Sequence, residues 1–551
     1  MNFGGFVLRL SFALLCVQLA GIESPVQGQV SHGAASAGTS APKPRVACQV
    51  DNEPPSDAEK ALSRRDYKTA LELFQKLESS SPDVSRAGVI RTLLEEGKLQ
   101  DAVDQAKSWQ QADPGSGPAM ETWGEVQFRN GELPEALKTV LESRKLDPCN
   151  PRALLMTFRI ENLLGDHATA ARHIATAHML APHEIEVQEA WTSTLRRSQR
   201  LEIETTFAKD EGLLNAKDRN NLLESLAHEK DYTKGDCQLV QPVDNAELHI
   251  EEMMEDSTHR SSFGLYVKLN GSQRTLEIDS GASGITLSRA AASRLKLAHG
   301  EKVVVGGIGD EGAIQSTIAH VESIRIGGLE FKNCPVTILE KNDKLGIDGL
   351  IGTDFFSKYL VTLDFPGRKL RLGPLPKRPG ETAEEISGDA DDTVPVFHDR
   401  YIAPEMKDWT MVWRDGHDLL LPVSIGGAKD KLFLIDTGAE SMLISPTAAR
   451  EVTKVHGDFD TRMFGVSGEV THVYQTQEFL VTFAHVRLHV DSMTAIDTSS
   501  LSKDDGIELS GLLGAPVLDR LVLQIDYRDN LVNLNYDEKK DPQNLPPPAF
   551  Y

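Results

Sequence analysis

A chain of 551 residues is longer than one hydrophobic core can organise, so several domains are expected. Hydrophobic residues at 40%, charged residues at 25% and a mean hydropathy of -0.30 describe soluble globular material, not a disordered or membrane-embedded chain. A formal charge of -24 and a pI near 5.1 repel nucleic-acid phosphates and anionic lipid, so neither is an expected partner.

In the first residues, MNFGGFVLRLSFALLCVQLAGI, Arg9 precedes an apolar run from Leu10 to Ile22 that is short for a bilayer span. Residues 1–28 read as a secretory signal peptide with a cleavage point before Gln29, which implies a periplasmic or secreted protein without stable membrane insertion. Cys16 follows Leu15, where a lipoprotein signal needs a small residue, so no lipid anchor is expected. Residues 29–56 are rich in Ser, Ala, Gly and Pro and suit a flexible linker. Once the signal is removed, Cys48, Cys149, Cys237 and Cys334 remain, without CxxC spacing, and no zinc site is indicated. Four cysteines allow three complete pairings; the sequence selects none, and no disulfide is predicted.

Residues 57–230 repeat. Ala70, Ala102, Ala136 and Ala170 fall in one phase with Pro82, Pro114, Pro148 and Pro182, at steps of 32, 34 and 34 residues, and Gly97, Gly131 and Gly165 mark the turn inside each unit. A small residue where helices cross, an apolar face on each helix and a proline between units define helical hairpins that must stack to bury a core. On these markers the stretch from Asp57 to Leu226 resembles the tetratricopeptide repeats, an all-α solenoid. That resemblance implies either a groove for a protein partner or a spacer. His167, His173, His178 and His183 follow one another at 6, 5 and 5 residues, which does not place neighbours on one helix face as metal ligands require.

Past Cys237 the texture changes to short alternating segments broken by Gly, Asn and Pro, which predict strands and turns. Two such all-β stretches, 240–378 and 394–540, flank an acidic linker at 379–393. Each shows the same order of events. An apolar strand ends in Asp279-Ser280-Gly281-Ala282 or in Asp436-Thr437-Gly438-Ala439; a glycine-bracketed apolar pair follows, Gly349–Gly352 or Gly511–Gly514, and then another strand. One Asp-Ser/Thr-Gly triplet is a common turn. The doubled sequence of events is not.

These residues resemble the retropepsin-like aspartic proteases from about Ala246 to Tyr536, and the two tandem lobes are similar to the pepsin arrangement. The resemblance implies that Asp279 and Asp436 are the catalytic pair, sharing one proton and activating a water for peptide hydrolysis. Ser280, Gly281, Thr437 and Gly438 would support them, and Ala282, Ala439 and Glu440 would line the substrate cleft. Family members close β-hairpin flaps over the substrate; Val303–Ser316, with Gly307 and Ile308, and Arg462–His472, with Gly465 and Val466, stand in the corresponding places. Gly307, Gly309 and Gly312 also satisfy GxGxxG, but the following residues read as strand where a dinucleotide site needs a helix, so no nucleotide is expected. No cofactor or metal is implied. Two departures stand out. Glu440 occupies the place of a usual Asp, and Tyr401–Asp418 has no family counterpart and is expected to cover the cleft. The expected activity is that of an aspartic endopeptidase with a protein-recruiting arm; a peptide-binding or scaffolding protein on the same fold is the alternative.

Overall fold

The computed structural model describes residues 48–210, 212–231, 237–254, 260–298, 300, 302–340, 347–380, 396–428, 430–536 and 549–550. The signal-peptide region lies outside the described residues, as do most of the preceding linker and of the acidic linker. Among the described residues no helix is long and apolar enough to cross a membrane.

From Asp57 to Asp231 the chain is helical. Three hairpins form its middle: Pro82–Glu96 with Leu99–Ala112, Gly117–Arg129 with Leu133–Leu146, and Pro151–Leu164 with His167–Leu180. The alanines in phase, Ala70, Ala102, Ala136 and Ala170, are all fully buried at helix crossings. Gly97, Gly131 and Gly165 take φ of 82°, 74° and 91°, a left-handed turn that a side chain would strain. Successive units are also joined by charge: Arg152 donates to Glu125 at 3.1 Å and to Glu184 at 2.7 Å. Three of the four histidines go to separate partners: Asn162 for His167, Glu161 for His173 and the stacked Trp191 ring for His178.

Two β lobes follow. In the first, strand Ser272–Asp279 pairs antiparallel with Arg260–Leu269 and parallel with the short strand Gly349–Gly352. In the second, Lys431–Ile435 pairs antiparallel with Asp418–Ile425 and parallel with Gly511–Leu513. The lobes meet within one chain through a six-stranded sheet. Leu360–Asp364 of lobe one lies beside Leu521–Asp526 of lobe two, with Leu363 opposite Leu523, and each side adds two further strands. A single apolar cluster runs through both lobes, from Leu276 and Ile278 to Phe433 and Ile435. The strands that end in the two aspartates are thereby anchored in common material.

The helical arm is not a tethered appendage. Phe128, Leu133, Ile160 and Leu163 share a buried cluster with Leu432, Leu434, Leu509 and Leu512 of lobe two. Hydrogen bonds close the contact: Glu508 N–H donates to the Arg129 carbonyl at 2.9 Å, and the Asn530 amide donates to the Leu163 carbonyl at 3.0 Å.

The cysteines correct the expectation of no disulfide. Cys48 bonds Cys149 and Cys237 bonds Cys334, across 101 and 97 residues. Neither pairing has a local spacing signature; each is created when the fold lays a segment end beside a distant element. Cys48 ties the start of the described chain to the turn before Pro151, and Cys237 ties strand Gln238–Gln241 to its partner Leu329–Leu339.

Candidate active site

The two aspartate loops sit at the ends of equivalent strands and face one another. Each carboxylate first organises its own turn. Asp279 accepts from Gly281 N–H at 2.8 Å, and Asp436 accepts from Gly438 N–H at 2.9 Å and from Ala439 N–H at 3.0 Å. The hydroxyls then tie loop to loop. Thr437 Oγ1 accepts from Ser280 N–H and donates to the Ile278 carbonyl, both at 3.0 Å. Ser280 Oγ accepts from Thr437 N–H at 3.0 Å and donates to the Ile435 carbonyl at 2.7 Å. Both hydroxyl residues are buried, so each bond does the work of placing a carboxylate without competition from water. Ser at one position and Thr at the other serve equally because only the hydroxyl is used.

Gly281 and Gly438 are required by space. A Cβ on Gly438 would fall 2.6 Å from Asp279 Cγ, and one on Gly281 would fall 3.0 Å from Asp436 Cγ. Each carboxylate thus lies against the glycine of the other loop, and the two act on each other. Burial holds Asp279 well above the usual carboxylate range, and the neighbouring Asp436 and Glu277 charges add to it. Burial raises Asp436 as well, but the Asp279 hydrogen bond and its two backbone donors oppose the rise. Both carboxyls are thus held above the ordinary carboxylate range, and the pair keeps a shared proton and titrates as a unit.

Each lobe also carries a hairpin at the place expected for a flap. Lys302–Val305 pairs with Ile314–Ile326, and Met463–Gly465 with Gly468–Val470. Their tips meet: Ser467 N–H donates to the Ile308 carbonyl at 2.9 Å, Glu311 N–H to the Ser467 carbonyl at 2.9 Å, and Asp310 N–H to the Glu469 carbonyl at 3.1 Å. Gly307 lies against Val466 and Gly465 against Ile308, so all four flap residues named from sequence come together. A strand follows Gly312, and the glycines serve the crossing of the two tips: a Cβ on Gly309 would fall 2.2 Å from the Ser467 carbonyl carbon. Ala282 and Ala439 present carbonyls below the aspartates; that of Ala439 accepts from Ala515 N–H at 2.8 Å. Glu440 is exposed on the cleft side of the second loop.

The segment Tyr401–Asp418 does not roof the cleft. Thr410–Met411 joins the interlobe sheet beside Leu531–Tyr536, and Ala403 and Met406 pack on Leu531. Only its turn reaches the site: His417 Nε2 stands 3.2 Å from the Gly281 carbonyl and 3.3 Å from Asp418 Oδ1. Sequence reasoning missed His417, which nothing local marks. It also missed Glu277, whose signal was present. Two residues before Asp279 on a strand, it shares that residue's face. Glu277 is 9% exposed, and burial pushes its carboxyl up to about 7, helped by the Glu440 and Asp436 charges across the cleft.

Residues 265–355, the part of lobe one that holds Asp279 and the Gly349–Gly352 strand, match the profile of a family described as aspartyl protease. Among solved structures, the chain is similar to an aspartic proteinase from Irpex lacteus at 12% identity and a TM-score of 0.32, over 53% of this chain and 98% of that one. It is also similar to a retropepsin-like aspartic protease from Rickettsia conorii at 19% identity and a TM-score of 0.18, over 24% of this chain and 94% of that one. No curated protein matches the chain.

Proposed function

We propose that this chain, whose first lobe carries the aspartyl-protease segment, is an exported aspartic endopeptidase with Asp279 and Asp436 as its catalytic residues. The observation that carries the reading is the half-buried, facing pair of aspartates presented by two equivalent loops that hydroxyl groups tie together. A water held between the carboxyls would give a proton to the ionised Asp436 while its oxygen attacks the peptide carbonyl carbon. Asp279 would give its proton to the carbonyl oxygen, so the tetrahedral intermediate forms without a covalent adduct. Collapse returns a proton to the leaving nitrogen and breaks the C–N bond. Ser280 and Thr437 fix the spacing of the pair, and the flap tips exclude water and hold an extended peptide by its backbone. Two disulfides support an oxidising compartment outside the cytoplasm, in keeping with the signal-like first 28 residues. The helical arm, by its repeat pattern, would recruit a protein substrate to the cleft.

Purified protein incubated with a peptide library from pH 3 to 8 tests the reading. Hydrolysis is expected, together with its loss by about a thousandfold or more in Asp279→Asn and in Asp436→Asn while folding is retained. No cleavage by the unaltered protein, or unchanged cleavage by either variant, overturns it; capture of peptides without hydrolysis would leave a binding protein.

A further inference from the structure

The aspartate strands are equivalent, but the residues two positions before the aspartates are not: Glu277 in lobe one, Leu434 in lobe two. Both are nearly buried, at 9% and 5% exposure, and both share a strand face with the following aspartate. Leu434 belongs to an apolar cluster that takes in the flap residue Ile308 and the cleft residue Ala439. Glu277 instead faces the Ser262 hydroxyl and the Glu440 and Asp436 carboxylates of the opposite lobe. Because the lobes are related by a two-fold axis through the dyad, these two positions lie on opposite sides of it. The helical arm packs on the side of Leu434, so a peptide laid across the axis sets only the side chain on the Glu277 side of the scissile bond against one of these two positions.

Resting on the peptidase reading of Asp279 and Asp436, we propose that Glu277 selects a lysine or arginine side chain at one residue flanking the cleaved bond. Elsewhere the chain surrounds a cation with carboxylates. Glu121, Glu125, Glu184 and Glu186 in the helical arm all gather around Arg152. Glu277 has no such cation among the described residues, and only like charges approach it. A substrate ammonium or guanidinium would supply the missing partner, and it would be recognised in a dry cleft where such a pair is discriminating. The formal charge of -24 draws basic peptides toward the protein from a distance.

Mass spectrometry of the library cleavage sites is expected to show lysine or arginine enriched at one position flanking the cleaved bond. Matched peptides differing only as lysine against methionine then give a ratio of kcat/KM. Glu277→Gln and Glu277→Leu should each lower that ratio tenfold or more, and Glu277→Asp should restore part of it. No basic enrichment, or an unchanged ratio in both neutral variants, overturns the assignment. If no peptide is cleaved at all, the peptidase reading fails separately. Fluorescence anisotropy of the same two peptides on Asp279→Asn then decides the role of Glu277. A tenfold preference for lysine that Glu277→Gln erases upholds it, and equal affinities sink it.

Discussion

Replacing Thr437 by valine keeps the shape of the side chain and removes the hydroxyl that ties the two aspartate loops. Two buried backbone groups then lose their partners: Ser280 N–H, which donates to Thr437 Oγ1, and the Ile278 carbonyl, which accepts from it. At about 1–3 kcal/mol for each orphaned group, less what is regained by not burying a hydroxyl, the loss of stability is about 2–4 kcal/mol. Thr437→Ser retains both bonds and deletes one methyl, at a cost of about 1 kcal/mol. Lobe one already uses serine at this place. The kinetic effect should exceed the thermodynamic one, because a shift of about 1 Å in a reacting group can cost about a hundredfold. Urea unfolding at equal m-value, with kcat/KM on one peptide, measures both effects. The expected order is unaltered protein, then serine close behind, then valine far below in each measurement. Serine and valine variants that behave alike would refute the view that these hydroxyls position the carboxylates.

Removing Cys237 and Cys334 together by alanine should lower unfolding stability by about 4 kcal/mol, because the bridge closes a loop of 97 residues in the unfolded chain; an unchanged urea midpoint in non-reducing buffer contradicts this. Glu277→Gln tests the titration of its carboxyl. The folded protein holds the Glu277 proton up to about 7 against 4.5 in the unfolded chain, so unaltered protein loses stability as pH rises through that window. Glutamine suffers no such loss. The variant should therefore gain about 3 kcal/mol over unaltered protein at pH 8 and nothing at pH 4, as read by urea unfolding at the two values.

How much of this was legible depends on whether a feature repeats. The helical hairpins showed themselves because Ala, Gly and Pro recur in phase, and each of those residues has a local steric duty at a crossing or a turn. The aspartate loops showed themselves because the same strand, triplet and glycine-bracketed pair occur twice, and the flaps followed from their place between those marks. Features made by long-range closure were silent. The cysteine pairs join residues about a hundred positions apart, and His417 reaches Gly281 from a turn 136 positions away. Glu277 is the intermediate case. Strand alternation places it beside Asp279, yet a glutamate on a strand reads as a solvent-facing residue until burial is known.

The docking of the helices accounts for the chemical difference between the lobes. Leu432 and Leu434 stand on one face of their strand, within the cluster completed by Phe128, Leu133 and Ile160 of the arm. The equivalent positions in lobe one are Thr275 and Glu277, and among the described residues no helix packs on them. A surface that receives an apolar arm must itself be apolar, so the duplicated lobes could not keep identical side chains there once one of them carried the helices. Lobe one was left free to place a carboxylate where lobe two holds a leucine. The two-fold scaffold supplies paired aspartates, and the one-sided arm makes the cleft around them unequal. A symmetric pair of lobes presents the same surroundings on both sides of the paired aspartates; this chain presents two different ones, an acidic side in lobe one and an apolar side under the arm in lobe two.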